Sequence, residues 1–385
     1  MSTKKHSKHA KIKRPTLGYY ARTELSIIGT NCCNIQALVR DISPKLSGRI
    51  SYVDMDHKAF DNDERPSYLQ SGVHTFLSDK INYYEENSLG LLNEFDQKIK
   101  LRESDLVIVN GNHKQASKQI VVLDSLKTKS LVKRIDQITD VLAFIDLDGK
   151  KEICEEVKNQ VPEWKDIPII EYENREAITR IIESYVKSNT PRIKGLVLAG
   201  GKSLRMGEDK GTLNWWGKEQ REYLGDLLND SCDEVFISCR RKQLDDIRSR
   251  YELLADKYLG LGPYGAILSA FQHDPDAAWF VIACDLPLID HDAIQTLVDG
   301  RDSSKFASAY FNDSTQFPDP LCTIWEPRAY NRLMNFLALG YSCPRKVLIN
   351  SDIHIIQPSN SDFLLNANTP EDRAYIEQKQ SKINV

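Results

Sequence analysis

Two α/β domains in series, each a three-layer fold built on a mostly parallel sheet, are what this 385-residue chain predicts. Three observations carry that expectation. Short, wholly apolar runs bounded by turn residues recur in both halves, the pattern of strands buried on both faces. Helix-like segments alternate with them, as in a doubly wound sheet. A polar stretch, VKSNTPR (186–192), interrupts the alternation near the midpoint and marks the boundary. With 41% hydrophobic and 28% charged residues, the chain has enough apolar material for two cores.

The elements follow in order. The first fourteen residues carry six Lys or Arg and no acid, so residues 1–23 read as a basic flexible tail. ELSIIGT (24–30) is a strand closing on glycine, and IQALVRDISPKL (35–46) is a helix that Pro44 ends or bends. RISYVDMD (49–56), SDLVIVNG (104–111), VLAFIDLDG (141–149) and DIPIIEY (166–172) are the next strands. NREAITRIIESYV is the helix before the boundary. Beyond it, strands are expected at IKGLVLA (193–199), EVFISC (234–239) and WFVIACD (279–285). REYLGDLLND, QLDDIRSRY and PYGAILSAFQ look helical, and DPLCTIW (319–325) and IHIIQP (353–358) return the chain to the sheet. Domain limits of 24–188 and 189–385 follow.

Several function classes are excluded at this stage. A net charge of −4 argues against a nucleic-acid binder driven by bulk charge. No apolar run approaches the roughly 18 residues of a membrane span, and no apolar leader opens the chain. The eight cysteines include no CxxC pair, which points to reduced thiols in the cytoplasm and not to a disulfide frame or a zinc site.

The informative stretch is GLVLAGGKSLRMGEDKGTL (195–213). A strand ends in Gly200-Gly201, where the backbone can turn and bring its N–H groups close to an anion. Arg205 and Lys210 follow and suit the charge of a polyphosphate. GKS (201–203) is not a Walker A loop, because Leu196 stands where that motif needs its first glycine. The GxGxxG dinucleotide pattern is absent too. In open α/β sheets ligands sit beyond the carboxyl ends of the strands, which singles out the residues after 199, 239 and 285.

LAGGKSLRMGEDKGTL resembles the signature of the nucleotidyltransferase family, LAGG-x-S-x-R-M-G-x-D-K, and in particular its molybdenum cofactor guanylyltransferase (MobA-like) branch. LGPYGAILSA (261–270), FVIACDLPLI (280–289) and NANTPED (366–372) resemble three further family segments in the expected order, so the resemblance covers about half the chain. It implies a Rossmann-like nucleotidyltransferase domain at the C-terminus. The implied reaction moves GMP from GTP to molybdopterin, the organic part of the molybdenum cofactor, and releases pyrophosphate. The implied metal is Mg2+. Asp285 matches the family's magnesium ligand; its bland alternative is a helix N-cap. Asn368 supplies a second oxygen near the metal or, equally, caps the helix that Pro370 opens. Arg205 and Lys210 fall to the phosphates, and Leu198, Ala199, Gly200 and Gly201 to the nucleotide. Asp256 and Gly262 match nucleotide-contacting positions. Two departures bear on base choice: Cys239-Arg240 where an Asn-containing run is usual, and Tyr264 where a leucine is usual.

The first half resembles, more loosely, the GTP-binding adaptor (MobB-like) of the same biosynthesis, through SIIGTNCCNIQALVRDI, VDMDHKAFDNDERPSYLQSG and SDLVIVNGNHKQASKQIVVL. Its phosphate loop is degenerate. After Gly29 come Thr30, Asn31, Cys32 and Cys33, with no lysine or hydroxyl at the positions GxxxxGK[ST] needs. This half is expected not to hydrolyse GTP. Asp54, Asp56, His57 and His113 read as a residual anion or metal site, or as a solvated loop. The alternatives for the whole chain are a transferase using CTP or another phosphorylated acceptor, for which Arg345-Lys346 would serve as a phosphate pair, and a non-catalytic adaptor. Recipient molybdoenzymes are the implied protein partners; membrane and nucleic acid are not.

Overall fold

A computed structural model describes residues 18–56, 65–200, 210–358 and 360–383. Arg205, Gly201 and His57 lie outside the described residues, as does nearly all of the basic tail. The chain divides into two compact units, Met1–Asn189 and Thr190–Val385. Both are α/β units on mostly parallel sheets.

The elements of the first unit are β1 (Glu24–Ile28), α1 (Cys32–Ile42), β2 (Ile50–Val53), α2 (Ser67–Gln70), β3 (Thr75–Asp79), β4 (Tyr84–Ser88), α3 (Glu94–Leu101), β5 (Leu106–Asn110), β6 (Lys118–Leu123), α4 (Thr128–Val132), β7 (Val141–Asp146), α5 (Glu155–Gln160), β8 (Ile169–Glu171) and α6 (Arg175–Ser188). Its main sheet runs β2-β5-β1-β6-β7-β8 and every pairing in it is parallel. The central strands β1 and β5 are buried along their whole length, which is why they read as unbroken apolar runs. On α1 the buried residues are Ile35, Leu38, Val39 and Ile42, one stripe of a 3.6-residue period. The helix starts at Cys32, earlier than its apolar pattern suggests, because the Asn31 side chain caps it by accepting from Asn34 N.

Two features were not foreseen. β6 fills the middle of the sheet, between SDLVIVNG and VLAFIDLDG, where the sequence reading assigns no strand. No helix separates it from β5, so the alternation that reveals parallel strands is missing there. Gly111, which opens this link, is obligatory: a Cβ on it would come within 2.7 Å of Ile28 Cβ. The other is an exposed antiparallel hairpin, β3–β4.

The second unit contains β9 (Ile193–Leu198), α7 (Gln220–Asn229), β10 (Glu234–Cys239), β11 (Glu252–Ala255), α8 (Pro263–His273), β12 (Ala278–Ala283), α9 (His291–Asp299), β13 (Ala307–Asn312), β14 (Phe317–Trp325), α10 (Ala329–Ala338), α11 (Pro344–Ile349), β15 (His354–Ile356) and α12 (Pro370–Ile383). Its sheet runs β11-β10-β9-β12-β14-β13-β15. β14 pairs antiparallel with both β12 and β13, and the other pairings are parallel. Two apolar layers pack on the sheet, one around Trp279, Trp325 and Phe271, the other around Phe280, Ile294 and Leu228.

QLDDIRSRY, expected to be helical, is not. It opens as a short 3-10 turn (Arg241–Gln243) and continues irregularly into β11. Leu244, Ile247 and Tyr251 have helical spacing, yet only Ile247 is buried. Tyr251 is held elsewhere, its hydroxyl donating to Asp226 at 2.7 Å. The chain there serves as a link between adjacent parallel strands, and tertiary contacts override the local period.

Candidate functional site

β9, β10 and β12 lie side by side and parallel, with β11 next to β10, so their carboxyl ends open on one rim. Leu198, Ala199 and Gly200 end β9 on this rim. Ala199 N donates to Ser238 O at 3.1 Å, which ties the turn to β10. Gly200 has close neighbours: a Cβ there would lie 3.5 Å from Arg240 N and from Asp256 Oδ2. Asp256 therefore faces the glycine turn. Its Oδ1 accepts from Ser238 Oγ at 2.9 Å, and burial lifts its pKa although Ser238 and Arg240 act in the opposite direction. Gly262 is the N-cap of α8 at φ +58°, a backbone state that glycine adopts without strain.

Lys210, Asp285 and Asn368 come together from three distant segments. Lys210 Nζ donates to Asn368 Oδ1 at 2.6 Å and lies 3.6 Å from Asp285 Oδ2. The N-cap alternatives for both residues fail. Asp290, not Asp285, caps α9, accepting from Ala293 N at 2.8 Å. At α12 the capping is done by Thr369 and Asp372: Asp372 N donates to Thr369 Oγ1, and the Asp372 carboxylate accepts from Asn368 N and Thr369 N. The Asn368 side chain is left to point at Lys210.

Asp285 sits in a demanding electrostatic setting. Burial raises its pKa, Lys210 pulls it down, and Asp319 pushes it up again. Its Oδ1 is buried without a hydrogen-bond partner among the described residues. An orphaned carboxylate oxygen suits a hard divalent cation, and Asn368, which shares Lys210 with Asp285, offers an amide oxygen, so the two side chains fit the donor types of Mg2+. Among the described residues no group of three or more His, Cys, Asp or Glu that could hold a metal occurs, at this rim or elsewhere.

The two departures from the family pattern resolve differently. Tyr264 belongs to the core: it is fully buried, and its hydroxyl donates to Leu333 O at 2.6 Å. Cys239 is a buried free thiol pushed up to about 11, first by burial and then by Asp256, which rules out a resting thiolate. Arg345 and Lys346 are on α11, where Lys346 Nζ lies over the Tyr341 ring at 5.4 Å.

In the first unit, the segment in the place of a phosphate loop is a three-residue turn, Gly29-Thr30-Asn31, whose polar groups are already engaged. Thr30 Oγ1 donates to Asp124 Oδ2 at 2.7 Å and accepts from Asn34 Nδ2 at 2.9 Å. Asn112 Nδ2 donates to Thr30 O at 2.8 Å. Asp54 lies just after β2. It accepts from Gln36, Tyr52 and Asn110, and those bonds outweigh its partial burial and hold its carboxyl below the usual range. His113 Nε2 is 3.2 Å from Cys32 Sγ.

Sequence reasoning missed the residues that hold the Asp285 turn. Gln220, Trp216 and Tyr223 reach it from before and within α7, and nothing local marks them as site residues.

The chain is similar to several known proteins. The MobA-like NTP transferase domain family matches residues 195–354. A "Molybdenum cofactor biosynthesis bifunctional protein" from Synechocystis sp. is 36% identical over 190 residues, 49% of this chain and 54% of that protein; the chain thus spans about half of that relative's length. A molybdenum cofactor guanylyltransferase from Pseudomonas putida is 29% identical over 184 residues, 46% of this chain and 93% of that protein. The crystal structure of a molybdopterin-guanine dinucleotide biosynthesis protein A from Archaeoglobus fulgidus is 23% identical, with a TM-score of 0.43 over 49% of this chain and 99% of that one. The similarity to the MobA-like NTP transferase domain thus falls on residues 195–354, within the second unit.

Proposed function

We propose that the chain is a molybdenum cofactor guanylyltransferase: it transfers GMP from GTP to the terminal phosphate of molybdopterin and releases pyrophosphate. The observation that carries this reading is the convergence of Lys210, Asp285 and Asn368 at the carboxyl rim, beside a glycine turn and Asp256. Asp285 and Asn368 would hold Mg2+, which supplies charge neutralisation at the triphosphate when bound. Lys210, joined by Arg205, neutralises phosphate oxygens. The backbone of Leu198, Ala199, Gly200 and Gly201 lets the nucleotide approach closely, with Asp256 and Gly262 as further nucleotide contacts. The chemistry is positioning and electrostatics, and it needs no covalent protein nucleophile.

In this reading residues 189–385 are the transferase and residues 24–188 are a MobB-like domain that has lost GTP hydrolysis, preceded by a basic tail, 1–23. The self-occupied Gly29-Thr30-Asn31 turn supports the loss. Docking of a cofactor precursor or of a recipient molybdoenzyme is its remaining role. The cytoplasm is the assigned compartment, in keeping with eight free cysteines. No helix among the described residues is long and apolar enough to cross a membrane.

The test is pyrophosphate release by the purified protein with Mg2+ and molybdopterin, offered GTP, CTP and ATP separately, alongside Asp285→Ala. GTP-selective release lost in the variant supports the reading. Release with CTP keeps the chemistry and changes the base. No release with any nucleotide overturns it in favour of another acceptor or an adaptor.

A further inference from the structure

The turn that carries Asp285 is gripped through its carbonyl oxygens. Ala367 N donates to Asp285 O at 2.9 Å. Gln220 Nε2 donates to Leu286 O at 3.1 Å, Trp216 Nε1 to Pro287 O at 2.8 Å, and Tyr223 OH to Ile289 O at 3.1 Å. Four carbonyls within five residues are thus held, three of them by side chains from one short segment. The Trp216 and Tyr223 rings stack on each other at 5.6 Å, which fixes two of the three donors relative to one another.

Gln220 is the unusual member. It is fully buried, and its Oε1 has no hydrogen-bond partner among the described residues. A leucine would pack there without the desolvation cost of an orphaned amide oxygen. A donor to the carbonyl of Leu286, the residue after Asp285, is what the amide adds. Ala367 N holds the peptide plane directly after Asp285, and Gln220 holds the next one, Leu286–Pro287, so that together they fix the backbone from which the Asp285 side chain projects. Metal-ligand carboxylates depend on such outer partners for their orientation.

We infer that Gln220, acting with Trp216 and Tyr223, is the positioning residue that aims the Asp285 carboxylate at its cation. The inference rests on the transferase reading of Asp285 and names the part of the chain that makes that residue work. None of the three donors needs to touch nucleotide or metal. Their action is on the backbone that presents the carboxylate.

The experiment uses the full chain and Mn2+ alone as probe, with free Mn2+ read by electron paramagnetic resonance, followed by steady-state pyrophosphate release. Gln220→Leu is expected to weaken Mn2+ binding about tenfold and Tyr223→Phe by about half that factor. In both, kcat falls with the Mn2+ affinity while KM for GTP stays within about twofold, the signature of misplaced chemistry rather than lost substrate binding. Gln220→Glu separates the donor from the packing. Buried, its carboxyl is protonated, its O–H donates to Leu286 O, and it recovers most of the affinity that Gln220→Leu loses. If Gln220→Leu fails to fold, Tyr223→Phe, which removes one hydroxyl, carries the test. Wild-type Mn2+ affinity and kcat in the folded variants overturn the inference while leaving the transferase reading intact. Absence of any Mn2+ binding that Asp285→Asn removes, together with no pyrophosphate release, overturns both.

Discussion

The Lys210 ammonium donates to the side-chain carbonyl of Asn368, 158 residues further along the chain, at 2.6 Å. The same ammonium lies 3.6 Å from Asp285 Oδ2, so one cation bridges an amide near the end of the second unit and a carboxylate from its middle. With a fixed positive charge at the place where a polyphosphate is expected, Lys210→Met lowers kcat/KM for pyrophosphate release by about 10²–10³, or about 3–4 kcal/mol. Lys210→Arg does not restore it, because the longer fork cannot occupy the position between Asn368 and Asp285. Steady-state kinetics at saturating acceptor measure both.

Asp285 has a pKa raised above its ordinary value of 3.8, first by burial, with Lys210 opposing and Asp319 adding to the rise. The acid limb of the Mg2+-binding profile is therefore expected above the ordinary carboxylate range, because proton and cation compete for the same carboxylate. Asp319→Asn removes a neighbouring negative charge and moves that limb down. The effect on stability has the opposite sign from that of a salt-bridged carboxylate. The folded chain binds the proton more tightly than the unfolded one, so this group's contribution is full below the ordinary pKa and is lost as pH rises through the raised one. Thermal melts of wild type and Asp285→Asn between about pH 4 and pH 7 should converge at the acid end and diverge towards neutrality, with the variant more stable there.

Gly265 follows the residue at the usual leucine position in the GPYG turn and is dictated by packing. A Cβ on it would stand 2.2 Å from Tyr258 O, a backbone atom that cannot swing away. Gly265→Ala is expected to destabilise the second unit by about 1–3 kcal/mol, read by denaturant melts. Tyr264→Phe, which loses only the bond to Leu333 O, costs about 1–2 kcal/mol and leaves KM for GTP unchanged. A raised KM in that variant would return Tyr264 to the nucleotide pocket.

Turnover of GTP should yield pyrophosphate and no inorganic phosphate, since the Gly29-Thr30-Asn31 turn is closed by its own hydrogen bonds. Phosphate release by the full-length Asp285→Ala protein would show a working hydrolase in the first unit. Gly29 cannot change either. It has φ +107°, and a Cβ would lie 2.3 Å from Val122 O, so Gly29→Ala should unfold that unit or lower its melting transition strongly.

Residue order along the chain was enough for much of this. Buried parallel strands such as β1, β9, β10 and β12 announce themselves as short apolar runs, because both faces are covered. The glycine turn and Asp285 are legible for the same reason: each follows the end of such a run, and ligands gather at that rim, whereas Lys210 is legible only through its place in the motif that residues 198–213 resemble. What the amino-acid order leaves open depends on partners far away in the chain. β6 was invisible as a separate strand because a short link without a helix precedes it. β14 reads as an apolar run, yet its antiparallel place between β12 and β13 is chosen by side-chain packing across the sheet. Asn368 was balanced between cap and ligand until Thr369 and Asp372 were found to cap α12 and Lys210 was found beside its amide. The grip of Gln220, Trp216 and Tyr223 on the Asp285 turn has no local signature at all. A donor's value lies in the carbonyl it meets, and folding alone brings the two together.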